Sequence, residues 1–476
     1  MARASKASKK APDRKAKSRP AASLRAWLQH LFATGRAVQA KPGIGLKHEL
    51  AAVANRLDGE KAVLFPEPGG HRIPVVSGLV ARRAWIADAL GVPEPELLDR
   101  FLAASEAPLA WREVRDAPAQ KVVHKPVDLG ALLPLPTHAE HDAGPYITAG
   151  LLIARNPATG IQNVSINRAQ LSGPDRLGVL LLPRHADHFY KAAEAAGEAL
   201  PVALVVGVDP LTLLASQAIV PLDHDELEIA GALHGAPLEV ARCVTNDVRV
   251  PANAEIVIEG RILPRVREPE GPFGEFPKYY GPKSDKPVLE VDAVTMRAGP
   301  IFHTILGGGL EHLLLGAIPR EATLLAHLRR SFTGVRDLHL SLGGVGRYHL
   351  FVQLAKRAAG EAKNVIAAAI GAHYDVKHVV VVDEDVDVHD AQAVEWAVAT
   401  RFQADRDLVV IAGAQGSKLD PSTDDGVGAK MGLDATVPLD ADAFRYTKTR
   451  IPGEEAVDLD AVLDPDAPRP GFLDDA

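Results

Sequence analysis

One cysteine in 476 residues, Cys243, has no second thiol in the chain to pair with. An intramolecular disulfide is excluded, the composition fits a reducing compartment, and the lone thiol reads as a small buried apolar residue. Aromatic residues make up only 5%, and no apolar run reaches the roughly 18 residues of a membrane span, so no membrane segment is predicted. The opening stretch, MARASKASKKAPDRKAKSRP, lacks the apolar core of about seven residues that a secretory signal requires. It carries positive charge instead. Residues 1–20 hold eight Lys or Arg against one Asp, hence +7, leaving −15 for the remainder of a chain of net charge −8. Such a run, without apolar periodicity, is expected to be a solvated, disordered tail, with an organellar transit peptide as the alternative. The acidic remainder argues against a nucleic-acid surface, which needs basic residues gathered on a folded face. The expected location is cytoplasmic.

With 47% hydrophobic and 24% charged residues, the chain has the balance of a globular protein. Its length exceeds one ordinary core and predicts two or three domains. SLRAWLQHLFATG places Leu24, Trp27, Leu28 and Leu31 on one helical face behind a Ser23 cap. HELAAVANRLD, RAWIADALG and EPELLDRFLAAS read as further helices, with strands in KAVLFPEP and RIPVVSGLV, giving an N-terminal α/β domain over 23–124. The Pro-rich KPVDLGALLPLPTH is read as a linker. Short strands rich in Val and Ile follow, interrupted by one helix at ADHFYKAAEAAGEA, so a mostly β domain, barrel or sandwich, is expected over 125–319. NVIAAAIGAHY, KHVVVVD, HDAQAVEWAVATRF and DLVVIAG restore the alternation and predict a C-terminal α/β domain over 320–440, with an acidic, extended tail from 441 to 476. The fold class is α+β multidomain. The acidic run DEDVDVHD, residues 383–390, fails the spacing of a calcium loop, having Val388 and Val394 where Gly and Glu belong. It is read as the acidic start of the helix that follows.

The most informative stretch is EPEGPFGEFPKYYG, residues 268–281. Gly271, Pro272 and Gly274 forbid a regular helix or central strand, so Glu270 and Glu275 are expected on a constrained turn. Two acids on a turn are either solvated or aimed together into a pocket. Phe273, Tyr279 and Tyr280 favour the pocket, since an apolar enclosure raises a carboxyl pKa and suits the acid to proton transfer.

VPANAEIVIEGRILP followed by EGPFGEFPKYYG resembles the signature of the UbiD-type decarboxylases, which use prenylated flavin mononucleotide. LFPEPGGHRIPVVSG, QNVSINRAQ, PRHADHF, ALVVGVDP, DELEIAGALHGAPLEVARC, VVVVDEDVDVHDAQAVEWAVATR and GSKLDPS…GVGAKMGLDAT are similar to further family blocks in the same order, over about residues 40–436. The resemblance implies that the central domain is a split barrel that binds prenylated FMN. It implies a catalytic trio of Arg168, Glu270 and Glu275, with Arg168 holding a carboxylate, Glu270 orienting Arg168 and Glu275 donating the proton. The cofactor is expected to accept the electrons left when carbon dioxide departs. Its phosphate is expected near Asn163, Ser165, Arg168, His185, Glu226 and Lys430, through manganese or magnesium held by Asn163, His185 and Glu226, together with potassium. His188 and Glu228 are close enough in sequence to be register alternatives. Lys430 is read in a Gly-rich loop that allows close approach to phosphate.

The resemblance also implies a flavin prenyltransferase as cofactor supplier and a homo-oligomer, dimer or hexamer, assembled through the C-terminal domain. NVSINRAQ is closer to the form found in phenylacrylate, furan and pyrrole carboxylate decarboxylases than to the quinone-pathway form. His303, His312 and Arg320, in FHTILGGGLEHLLLGAIPRE, would suit a heteroaromatic acid or a dicarboxylate. The reading is therefore reversible, non-oxidative decarboxylation of an α,β-unsaturated or (hetero)aromatic acid. Alternatives are a 4-hydroxybenzoate or phenylacrylic acid decarboxylase, a non-catalytic or carboxylating subunit, and a plain flavin electron carrier.

Overall fold

A computed structural model describes residues 21–467; the basic stretch 1–20 and residues 468–476 lie outside the described residues. The first helix, Leu24–Ala33, starts where the sequence places it, with the Ser23 hydroxyl accepting the Ala26 N–H at 3.1 Å. It buries Leu24, Trp27, Leu28 and Leu31, the predicted face. The N-terminal sheet runs Ala37–Gln39, Ala62–Phe65, Val75–Ser77 and then Phe302–His303. That last strand arrives from more than 200 residues downstream and pairs in parallel with Val75 and Val76. The chain just after it, residues 304–309, is thereby fixed between the N-terminal and central parts.

The central sheet has nine strands, and every pairing in it is antiparallel. Its longest members are Ile256–Glu270 and Ser284–Met296. In Leu200–Val206, residues Val202, Leu204 and Val206 enter one hydrophobic core, while Ala203 and Val205 enter another. Successive side chains of a strand point to opposite faces, so a strand covered on both reads as unbroken apolar sequence. Besides the expected helix at His185–Ala196, this region contains Pro210–Ala215 and Glu226–His234, which the sequence reading missed. Both are short, and each is announced only by an aspartate cap, Asp209 or Asp225.

One expected domain boundary falls at the end of a strand and the other inside a helix. Val122–His124, ahead of 124/125, pairs with the long strand Ser284–Met296 of the central sheet. A single helix, Leu310–Ser331, passes straight through 319/320. Gly316 and Pro319 disguise it, because a proline without its N–H normally ends a helix. The C-terminal sheet, ordered Val335–Leu340, His349–Leu354, His378–Val382, Val427–Ala435 and Leu408–Gln415, packs behind it. In the acidic run, Asp383 and Asp385 both pair with the buried Arg401, and Asp390 caps the helix Ala391–Arg401.

The long helix is tied to the N-terminal part by a buried carboxylate. Glu321 is fully buried, pairs with Arg83, accepts from His339 Nδ1 at 2.9 Å and takes the Leu340 N–H at 2.8 Å. Burial pushes its pKa up, but Arg83 and His339 outweigh burial and hold it down at about 2. A depressed carboxylate stabilises the fold above its ordinary pKa and loses that contribution as pH falls. Glu321→Gln is therefore expected to destabilise the protein by about 3 kcal/mol at neutral pH, since it removes the nearer counter-charge of the half-buried Arg83 and leaves only Glu94 at 3.8 Å. In thermal denaturation, the gap between wild type and variant should narrow from about pH 4.5 down towards 2.

Candidate active site

Arg168 sits between the strands Gln162–Ile166 and Ala169–Gly173, and Glu270 is the last residue of Ile256–Glu270. Glu270 therefore stands on a strand end, not on the turn itself. The chain then folds into a miniature hairpin, Phe273–Gly274 against Tyr280–Gly281, with Glu275 just past its first strand. Arg168 donates from Nε to Glu270 Oε1 at 2.9 Å and from Nη2 to Glu270 Oε2 at 3.0 Å. Its remaining nitrogen, Nη1, pairs with Glu275 Oε1. One guanidinium thus joins both carboxylates, and all three groups are buried or nearly so. With both acids ionised the trio carries −1; a single added proton makes it neutral.

Phe273 explains why an aromatic stands between the two acids. Its ring lies beneath the guanidinium, 4.9 Å from centroid to Cζ, a cation–π contact that fixes the plane of Arg168. Tyr279 and Tyr280 do not join this enclosure, being 61% and 42% exposed. The hairpin is held at Gly274: Asp142 Oδ1 accepts its N–H at 2.9 Å, and the Gly-rich segment after Phe302–His303 packs against its carbonyl. A Cβ at Gly307 would meet the Gly274 carbonyl oxygen at 2.2 Å, so only glycine permits that approach.

The predicted oxygen and imidazole set also converges. Asn163 Nδ2 lies 2.7 Å from Glu226 Oε1 and 3.5 Å from His185 Nδ1, and the Val164 N–H donates to Glu226 Oε2 at 2.6 Å. The register alternatives His188 and Glu228 make neither contact with Asn163. His185 and Glu226 are each the first residue of a helix, so two positive helix ends face the cradle. Ser165, two residues along the strand from Asn163, donates to Asn167 Oδ1 at 2.9 Å. Burial pushes the Glu226 carboxyl up to about 8, and His185 is lowered by burial and by Arg184. A buried carboxylate that meets only amide N–H groups lacks a counter-charge, which a divalent cation would supply. Turning the Asn163 amide over would present its oxygen to such an ion. Among the described residues no cluster of three His, Cys, Asp or Glu could hold a metal, in keeping with a set in which one ligand is an amide.

Lys430 lies in the strand Val427–Ala435 and not in a loop. Buried, it donates to the Tyr374 carbonyl at 2.9 Å, while Arg184 reaches the Tyr374 hydroxyl at 3.2 Å. Tyr374 thus links Lys430 to the residue preceding His185. A cavity of about 500 Å³ borders the cradle, lined by Gln162 and Asp225, the neighbours of Asn163 and Glu226, with Trp111, Arg155, Arg249 and the register alternative Glu228.

Phe276, the neighbour of Glu275, leads to a cluster that was only partly foreseen. Arg347 stacks 4.4 Å over its ring, and His312 meets it edge-on at 6.3 Å. Arg320 contacts Asp375 at 3.4 Å and His373 at 3.3 Å. Burial, then the charge of Arg347, brings Arg320 down to about 9, and burial lowers Arg347 as well. Arg347 Nη1 is buried without a hydrogen-bond partner. His303 is not part of this cluster: it is fully buried, 3.2 Å from Glu311, whose carboxylate accepts the Gly78 and Leu79 N–H groups.

The chain is a carboxy-lyase of the UbiD family, whose models match most of its length. The domains described as 3-octaprenyl-4-hydroxybenzoate carboxy-lyase N-terminal, Rift-related and C-terminal match residues 28–105, 112–310 and 313–435. The chain is 49% identical to the UbiD-class enzyme HmfF from Pelotomaculum thermopropionicum, solved in complex with FMN; the match covers 93% of this chain and all of that one, with a TM-score of 0.91. An evolved dimeric form of that enzyme, in complex with prFMN, aligns at 47% identity over the same shares, with a TM-score of 0.87. An anhydromevalonate phosphate decarboxylase of Methanothermobacter thermautotrophicus is 42% identical over 77% of this chain and 86% of its own length.

Proposed function

We propose that this chain is a reversible, non-oxidative decarboxylase that uses prenylated FMN on an unsaturated or heteroaromatic acid bearing a second anionic group, such as a furan or pyrrole dicarboxylate. The observation that carries the reading is the single guanidinium of Arg168 shared by Glu270 and Glu275. Asn163, His185 and Glu226, with manganese or magnesium and with potassium, would hold the cofactor phosphate, with Ser165 and Lys430 nearby. When bound, the cofactor supplies an electron sink for the pair left as the C–CO2 bond breaks. The chain's own groups do the rest. Arg168 orients the departing carboxylate, Glu270 fixes Arg168, and Glu275 delivers a proton to the carbon that has lost carbon dioxide, regaining it from water. Run backwards with bicarbonate in excess, the same steps carboxylate.

The buried excess of positive charge at Arg320 and Arg347, against Asp375 alone, supports the second anion. Relatives named for a phosphorylated substrate favour one further reading, in which that anion is a phosphate. We further propose a homodimer joined through Leu408–Gln415, an edge strand whose Leu408, Val410 and Ile411 are exposed, and a cytoplasmic location. Among the described residues no helix is long and apolar enough to cross a membrane.

The test is purification after co-production with a flavin prenyltransferase, followed by the mass and absorbance of the bound cofactor and carbon dioxide release from a panel of acids. Furan and pyrrole dicarboxylates should be turned over. A correctly loaded protein that converts none of them, nor cinnamate or 4-hydroxybenzoate, would overturn the reading.

A further inference from the structure

Glu270 has neighbours other than Arg168, and they form one row across the central sheet. Tyr146 lies directly opposite Gln170, and Gln170 opposite Gly178, on three adjacent strands. At the end of the row Gly178 packs beside the Glu270 stem, its Cβ position lying in ordinary contact distance, 3.5 Å, of Glu270 Cβ and Cγ. At the other end the Tyr146 hydroxyl lies 3.2 Å from Glu270 Oε1 and 3.0 Å from Gln170 Oε1. Gln170 Oε1 also accepts the N–H of Gly271, the residue after Glu270, at 2.9 Å. The amide is therefore not free to turn over, and its oxygen must face the tyrosine.

We propose that Tyr146, supported by Gln170, is a positioning residue for the decarboxylation: its hydroxyl sets the plane of the Glu270 carboxylate and, through it, the aim of Arg168. The inference rests on the carboxy-lyase reading of Arg168, Glu270 and Glu275. Tyr146 is wholly buried, and its ring also lies 4.5 Å from that of Phe273, the ring beneath Arg168. One side chain thus touches both supports of the guanidinium and never the guanidinium's third partner, Glu275. Burial first, then the charge of Glu270, keeps the phenol proton in place, so the hydroxyl remains a donor. That single hydrogen faces two acceptor oxygens. Nε and Nη2 of Arg168 fix Glu270 from one side, and the hydroxyl closes the other.

The test is Tyr146→Phe, with Gln170→Leu as the second variant. Removing an outer partner of this kind costs about 10–100-fold in activity, here expected in kcat with KM within about threefold. The acidic limb of the kcat profile should move to higher pH, because the trio loses a donor to its ionised form. Affinity for plain FMN should stay at the wild-type value, and the thermal midpoint should fall only by the few degrees that one buried hydrogen bond is worth. A crystal structure of Tyr146→Phe should show the Glu270 carboxylate rotated out of its paired contact with Arg168. Wild-type kcat and pH profile with Glu270 unmoved would overturn the proposal. So would a fall in kcat that only tracks lost stability or lost FMN binding at an unchanged profile, which marks a purely structural tyrosine. If the loaded wild type converts no acid at all, the carboxy-lyase reading fails instead, and the crystal structure still decides whether Tyr146 sets Glu270.

Discussion

Glu275→Gln is expected to lower decarboxylation by about 10³-fold while the protein still binds flavin, a loss within the range usual for a general acid. The expectation follows from how the two acids differ. Glu270 is completely buried at a strand end and takes two donors from Arg168, so it has no spare freedom. Glu275 is 9% exposed, sits on a hairpin and pairs with Arg168 Nη1 through Oε1. An amide keeps the shape and can still accept from Arg168 Nη1, yet carries no transferable proton. Single-turnover release of carbon dioxide, set beside an FMN titration, separates proton delivery from folding and cofactor binding. Activity within about threefold of wild type would remove Glu275 from the chemistry. An electron carrier, by contrast, would keep its flavin reduction unchanged by this substitution.

The elements that were legible in the sequence are those whose signal is local. The Ser23 cap and the spacing of Leu24, Trp27, Leu28 and Leu31 predict a helix because capping and burial act within a few turns. Glu270 and Glu275 were legible because glycine and proline confine the chain between them. That both meet the same guanidinium, Arg168, was not read from the sequence. What escaped was set by tertiary contact. Tyr146 meets Glu270 across 124 residues, and nothing in GPYIT signals it. Lys430 was read in a loop because glycines flank it, but pairing with His378–Val382 and Leu408–Gln415 overrides that composition. Tyr279 and Tyr280 were read as walls of the pocket, yet the hairpin turns them outward. The helix Leu310–Ser331 was hidden by its own proline. Burial of one side against the N-terminal part and the other against the C-terminal sheet sustains it despite the lost backbone bond.

That helix also carries half of the cluster on which substrate choice is expected to turn. Arg347→Met should lower kcat/KM for a dianionic acid by about 10²-fold, as expected when a buried charged contact is lost, and shift preference towards monoanionic acids. Arg347 is the cleaner target of the two guanidinium groups. Arg320 already contacts Asp375 and His373, so replacing it strands a buried aspartate and lowers stability along with activity. Arg347 instead stacks on Phe276 with Nη1 buried and unpartnered, and a cation left in that condition gains most from an incoming anion. Methionine keeps an unbranched, apolar stem beside the ring and removes the guanidinium with its charge and donors. If the second anion is a carboxylate, the loss should fall on furan or pyrrole dicarboxylates and spare their monoacids. If it is a phosphate, the loss should fall on a phosphorylated unsaturated acid. Equal losses for mono- and dianionic acids would show that Arg347 supports Phe276 and the Glu275 hairpin, not the substrate's far end.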